Sequence, residues 1–273
     1  MLTVLVAFSK VLFLKTVHQR SPICYYTSMN YKTKFLLFFI VFTAAFFALR
    51  TFGEYLYKDA YKDLGGIGWL FSTIGLIFSI LSGFLIQHLW DKWERIQKIV
   101  LEEIHSLDHL IMFNAASADL RDRTKIVVAN YVNYVIQHEW SRDAKLLTDN
   151  EVTIQLKALH QEFLQGSSNQ QDRAAHTKLI NSLLYTRERR ILLATRHMPY
   201  FIRNTLRLST VLVIALSLLV AIKSILLDYI FTLAIGSLVF SIYLIIVDMD
   251  NILSPGAWHV SSKLYKEFLK KIE

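Results

Sequence analysis

Four stretches of this chain are apolar over the ~20 residues that a helix needs to cross a hydrocarbon layer, and they limit the fold more than any other feature. They are residues 35–52 (FLLFFIVFTAAFFALRTF), residues 64–89, residues 208–227 (LSTVLVIALSLLVAIKSILL) and residues 229–247 (YIFTLAIGSLVFSIYLIIV). In lipid every backbone amide must find its partner within the protein, so an open chain of this kind crosses as helices. Strand signals are nearly absent, and the 273 residues include only 3 prolines and 9 glycines against 53% hydrophobic residues. The expected fold is all-α: an integral membrane protein with four transmembrane helices and a cytosolic helical bundle between helices two and three. Arg50 lies near the end of the first span, where its side chain can snorkel to the interface. Lys223 is read as lying near the end of the third, and Asp228 alone separates the third from the fourth.

Charge orients the spans. Lys32 and Lys34 precede the first, Lys92, Arg95 and Lys98 follow the second, Arg203 and Arg207 precede the third, and Lys263, Lys266, Lys270 and Lys271 follow the fourth. The excess of positive charge on one side places both termini in the cytoplasm and the protein in the inner (plasma) membrane. Topology thus accounts for most of the net charge of +8. A nucleic-acid partner would require basic residues interleaved with exposed aromatics, and none are found. The expected organisation is an N-terminal segment over 1–31, a first helix pair over 32–90, a cytosolic helical domain over 91–207, a second pair over 208–249 and a cytosolic tail over 250–273. The first 28 residues read either as an interfacial amphipathic helix or as residues upstream of a start at Met29.

Between the second and third spans the hydrophobic period is helical. Trp93, Ile96, Val100, Ile104, Leu107 and Ile111 recur at steps of three and four, which continues the second span into the cytosol as one long helix. Further helices are expected in DRTKIVVANYVNYVIQHEW, NEVTIQLKALHQEFLQ and DRAAHTKLINSLLYTRERRILLATRHMP, with polar breaks at SRDAKLLTDN and GSSNQQ. Pro199 ends or kinks the last of them.

Few residues offer chemistry. No phosphate-cradling motif is present, GGIG at 65–68 opens a span, and Cys24 has no neighbouring base. The best metal candidate is EEIHSLDHL, where Glu102, His105 and His109 share a helical face; a carboxylate-bridged bundle site would need a second Glu-x-x-His, which is absent. These residues read as weak candidates against a solvated or bundle-packed polar face. The basic run RERR at 187–190 reads either as a lipid-binding patch or as a solvated or inter-subunit ion-pairing face. Asp248, Asp250 and Asn251 either contribute to a cation site or end the fourth span. No catalytic constellation and no cofactor are expected.

Three segments resemble the prokaryotic bestrophin-like membrane proteins of unassigned function, and more distantly the bestrophin ion channels. They are YVNYVIQHEW at 131–140, RRILLATRHMPYFI at 189–202 and DMDNILSPGAWHVS at 248–261. FSILSGFLIQHLWDKW, at 78–93, is similar to the pore helix of bestrophins. The resemblance covers residues 30–265 and implies five subunits around one axis, with rings of apolar side chains from the second helix forming a narrow neck. Carried over by position, the ring residues are Leu76, Ile80 and Phe84, with Gly83 beside the last. Steps of four keep the three on one face, and an apolar constriction of this kind gates by wetting and dewetting. The acidic run that forms the calcium clasp of animal bestrophins is absent after SPG, so calcium gating of that type is not expected.

Two functions follow. One is a homo-oligomeric, pentameric ion channel in the lipid bilayer that passes small inorganic ions through the apolar neck. The other is a membrane-anchored scaffold or signalling protein acting through its cytosolic bundle, for which the stripe on the second span would face lipid or a neighbouring helix.

Overall fold

The computed structural model describes residues 31–56, 64–116, 118–140, 151–166, 169–220, 222, 224–253 and 258–272. The segment before Met29, Cys24, Lys223 and the break at 141–150 lie outside them. Eight α-helices are present among the described residues: α1 (Tyr31–Leu56), α2 (Leu64–Phe113), α3 (Ala118–Tyr134), α4 (Glu151–Gly166), α5 (Gln170–Thr195), α6 (Tyr200–Leu219), α7 (Ile225–Asp250) and α8 (Lys263–Ile272). No strand occurs among them. Four helical segments are long and apolar enough to cross a membrane, one each within Lys32–Phe52, Gly68–Phe113, Gln170–Leu219 and Ile225–Asp250.

The chain divides into two compact units. The first comprises residues up to Gln87 together with Met198–Val247, and the second comprises His88–His197 and Asp248–Glu273. In the first unit α1 and α7 pack antiparallel through an aromatic seam. Phe38 stacks on Phe240 with ring centroids 4.3 Å apart, and Phe46 meets Tyr229 edge to face at 5.2 Å. Thr43 Oγ1 lies 3.0 Å from the Tyr229 hydroxyl. Between these contacts Gly236 lets the helices approach: a Cβ there would sit 2.6 Å from Cε2 of the fully buried Phe42.

The third apolar segment differs from expectation. The α6 helix starts at Tyr200, capped by Pro199, and stops at Leu219, where Val220 turns to an extended conformation. Residues 225–227 belong to α7, and Asp228 lies in its first turn instead of between two helices. The reason is electrostatic. Arg50 is engaged within the protein: its Nε donates to Asp228 Oδ2 at 2.7 Å and its Nη2 to the Val220 carbonyl at 2.8 Å. One guanidinium thereby pairs the acid that opens α7 and takes up a carbonyl freed where α6 ends.

The second unit is a helical bundle whose core includes Ile96, Val100 and Leu107 of α2, Val128, Tyr131 and Val132 of α3, Leu156 of α4, and Ile180 and Leu183 of α5. The expected stripe is therefore the buried one, with Trp93 and Ile104 packed at its edge. The C-terminal segment joins the bundle: α8 buries Tyr265, Phe268 and Ile272 in the same core. After α3 the chain makes a π-helical turn over Val135–Glu139, which swings Glu139 inward.

Candidate functional site

From Phe78 to Leu110 the α2 helix buries one face. Phe78, Ser82, Leu85 and Leu89, then Ile96, Val100, Glu103, Leu107 and Leu110, are all buried. At about 100° per residue these positions stay in one half of the helical wheel, so the packed face keeps its phase from Phe78 to Leu110. The expected ring residues sit on the opposite face: Leu76, Ile80 and Phe84 are 62%, 53% and 74% exposed. They span about 12 Å of helix axis and lie within about 40° of one another's mean direction. Gly83 is also exposed, and a Cβ there would meet nothing within 4 Å.

Glu102, His105 and His109 are exposed as well, further along α2. Among the described residues no three potential ligands come together within one chain.

The two charged positions of greatest consequence in the second unit are not at the surface. Arg187 and Arg190 of the RERR run are 5% and 1% exposed, so the run is neither a lipid patch nor a solvated face; Glu188 and Arg189 alone point outward. Arg190 Nε donates to Glu103 Oε2 at 2.7 Å and its Nη2 to Glu139 Oε2 at 2.7 Å. Arg187 pairs with Glu139 Oε1 through Nε at 2.9 Å and reaches Thr153 Oγ1 through Nη1 at 2.9 Å. The Tyr131 hydroxyl donates to Glu103, while Trp140 and Tyr265 lay their rings beside the Arg190 guanidinium at 5.7 and 5.9 Å. Two arginines and two glutamates balance, which is what lets four charges persist out of water. Burial and the Glu103 carboxylate both push the Tyr131 hydroxyl well above its usual range, so it stays a donor.

The signal for this cluster was present in α5. His176, Ile180, Leu183, Arg187, Arg190 and Ala194 recur at steps of four and three, and all are buried. Two arginines on an otherwise apolar stripe require buried carboxylates, but nothing in the local sequence names Glu103 and Glu139 as those partners.

Asp248 and Asn251 form a turn at the end of α7. Asp248 accepts the Asn251 amide through its carbonyl at 3.1 Å and the Trp258 amide through Oδ2 at 3.0 Å. Asp250 is buried.

Residues 36–254 match the sequence pattern of the bestrophin-like domain. The chain belongs to the bestrophin-like family. Crystal structures of a bacterial bestrophin homolog from Klebsiella pneumoniae share the fold of this bestrophin-like protein. The structure phased on zinc superposes with a TM-score of 0.69 at 12% identity, over 87% of this chain and 95% of the homolog. A point variant of that homolog gives a TM-score of 0.73 at 12% identity, over 88% and 97% of the two chains. No curated protein matches by sequence.

The segments that carry the resemblance meet in the second unit of this bestrophin-like chain. Tyr131, Glu139 and Trp140 come from the first, Arg190 from the second, and Val260 from the third, whose carbonyl accepts Trp140 Nε1 at 2.9 Å. Trp90 of the segment at 78–93 packs edge to face on Trp258, with ring centroids 5.7 Å apart.

Proposed function

We propose that this bestrophin-like protein is a homo-oligomeric ion channel, a pentamer, whose α2 helices surround an axis and form an apolar neck from Leu76, Ile80 and Phe84. The observation that carries this reading is the exposed apolar stripe directly opposite the packed face of the same helix. A monomer leaves three large side chains there more than half exposed, and five copies around an axis give them each other. Gly83 beside Phe84 keeps the helix surface low, which favours close approach of neighbours. The ring edge of Phe84 is electropositive and suits a passing anion; water would cross such a constriction only when it wets. The basic flanks of the spans support a placement in the plasma membrane with both termini and the second unit in the cytoplasm.

The test is the stoichiometry and conductance of the purified full-length protein. A five-fold particle in electron micrographs and salt-dependent currents in planar bilayers are expected. A monomer or dimer with no current in any salt would overturn the channel and favour a membrane-anchored scaffold working through the helical bundle.

A further inference from the structure

The exposed face of α2 does not end with the neck. Taking Ile80 as reference and about 100° per residue, Glu102, His105 and His109 fall within about 40° of it, the same narrow sector as Leu76 and Phe84. The first of them, Glu102, comes 18 residues after Phe84 on the same helix. Glu102, His105 and His109 are exposed, whereas the adjacent Glu103 points the opposite way into the buried cluster. No hydrogen bond or ion pair among the described residues engages the Glu102 carboxylate or either imidazole. Their neighbour on the stripe, Glu94, is by contrast taken up by Lys98 at 2.8 Å.

We propose that this face carries a binding site for a divalent transition-metal ion of the zinc class, built by α2 and completed by a second copy of the chain. Imidazoles four residues apart on a helix stand one above the other, about 5–6 Å between Cβ atoms, and can close on one ion through ring nitrogens at about 2.0–2.1 Å. Nitrogen donors with a carboxylate suit zinc and its neighbours and not calcium or magnesium, which take oxygen alone. Glu102 and His109 are about 10 Å apart along the axis, too far for one chain to bring all three donors onto one ion. The remaining ligand comes from Glu102 of the adjacent copy, or from water. This inference rests on the channel reading for its consequence: an ion held on the stripe that forms the neck stands on the conduction path and reduces current.

The experiment uses the full-length protein in detergent, with chelator-competition titration of zinc and, separately, planar-bilayer currents with and without zinc. Wild type is expected to take up zinc saturably. His105→Ala and His109→Ala are expected to weaken uptake at least about tenfold, since loss of a mere outer-shell partner already costs about 10–100-fold. Lys98→Ala, on the same stripe, should bind as wild type. All three changes are at exposed positions and are not expected to affect folding, which thermal unfolding of each variant checks. Absence of saturable uptake, or uptake unchanged in both histidine variants, overturns the site whether or not the protein conducts. Zinc uptake that depends on the histidines in a protein that passes no current in chelator upholds the site and overturns the channel. Current insensitive to zinc at saturating occupancy overturns the placement of the site on the path.

Discussion

Arg190 and Glu103 meet across 87 positions of sequence at 2.7 Å, with side chains 1% and 0% exposed. Glu103 lies on the long helix that carries the exposed apolar stripe, and Arg190 lies on the helix that leads towards the third apolar segment. A buried pair of this kind costs much of its attraction in lost hydration, but losing one member leaves a bare charge. Glu103→Leu is therefore expected to destabilise the protein by about 3–5 kcal/mol. Combining it with Arg190→Met should recover part of that loss. Thermal unfolding of the detergent-solubilised single and double variants measures both; equal stability of Glu103→Leu and wild type would show that the pair does not hold the bundle.

Arg50 and Asp228 give the corresponding prediction for the membrane unit. Arg50→Met leaves a carboxylate that is 2% exposed without its cation, and also frees the Val220 carbonyl. The expected result is a loss of about 3–5 kcal/mol and poor recovery of folded protein. Asp228→Asn keeps one acceptor for Arg50 and should lose less, which size-exclusion profiles and thermal unfolding compare directly.

Gly236 is expected to accept no larger residue without cost. Valine would press its β-carbon into the Phe42 ring, which is fully buried and braced by Phe38 at 5.4 Å. Overpacking of this kind costs typically about 1–3 kcal/mol. Gly236→Val alone should lower the melting temperature, and a second change, Phe42→Leu, should restore part of it.

His176 makes stability depend on pH. Its ring is fully buried, stacks on Phe163 at 4.1 Å, lies near Phe113, and faces His160 with Nδ1 atoms 2.9 Å apart. Its pKa is lowered from 6.5 to about 4, by burial first and by the facing His160 second. Between those values the unfolded chain binds a proton that the folded chain refuses, so stability is full above pH 6.5 and falls as the pH drops towards 4. The loss is at most about 3 kcal/mol. Melting temperatures of wild type and His176→Phe, compared from pH 7.5 downward, should converge as the variant loses this part of the acid sensitivity.

Phe84→Ala and Ile80→Ala test the proposed neck. Each removes a large exposed side chain from the stripe without opening a cavity in the packed face, so folding should be preserved. Larger or leakier currents in planar bilayers are the expected outcome. Unaltered currents in both variants would remove these residues from the constriction.

The helices themselves were legible in the sequence because length and period are local properties. The runs NEVTIQLKALHQEFLQ and DRAAHTKLINSLLYTRERRILLATRHMP correspond closely to α4 and α5, and the steps of three and four from Trp93 to Ile111 marked the face that the bundle buries. The third apolar run was placed too far along the chain for a local reason as well. Hydropathy alone does not see that Val220 leaves the helix, because the residues after it remain apolar. At that boundary Arg50, 170 positions away, donates to the Val220 carbonyl, a contact that no local pattern announces.

The sequence by itself determined an all-helical chain with four segments apolar enough for a membrane, since a run of ~20 apolar residues satisfies its own amides in hydrocarbon as a helix. It also placed Leu76, Ile80 and Phe84 on one face, since that follows from 3.6 residues per turn. Only the tertiary structure decided which charges are buried. RERR looks like a surface run in one dimension, and whether Arg187 and Arg190 face water or protein depends on two glutamates supplied by distant elements. Tertiary packing likewise decided that the Leu76 stripe is the exposed side of α2, because a helix face becomes an outer face only when its opposite side has found something to pack against.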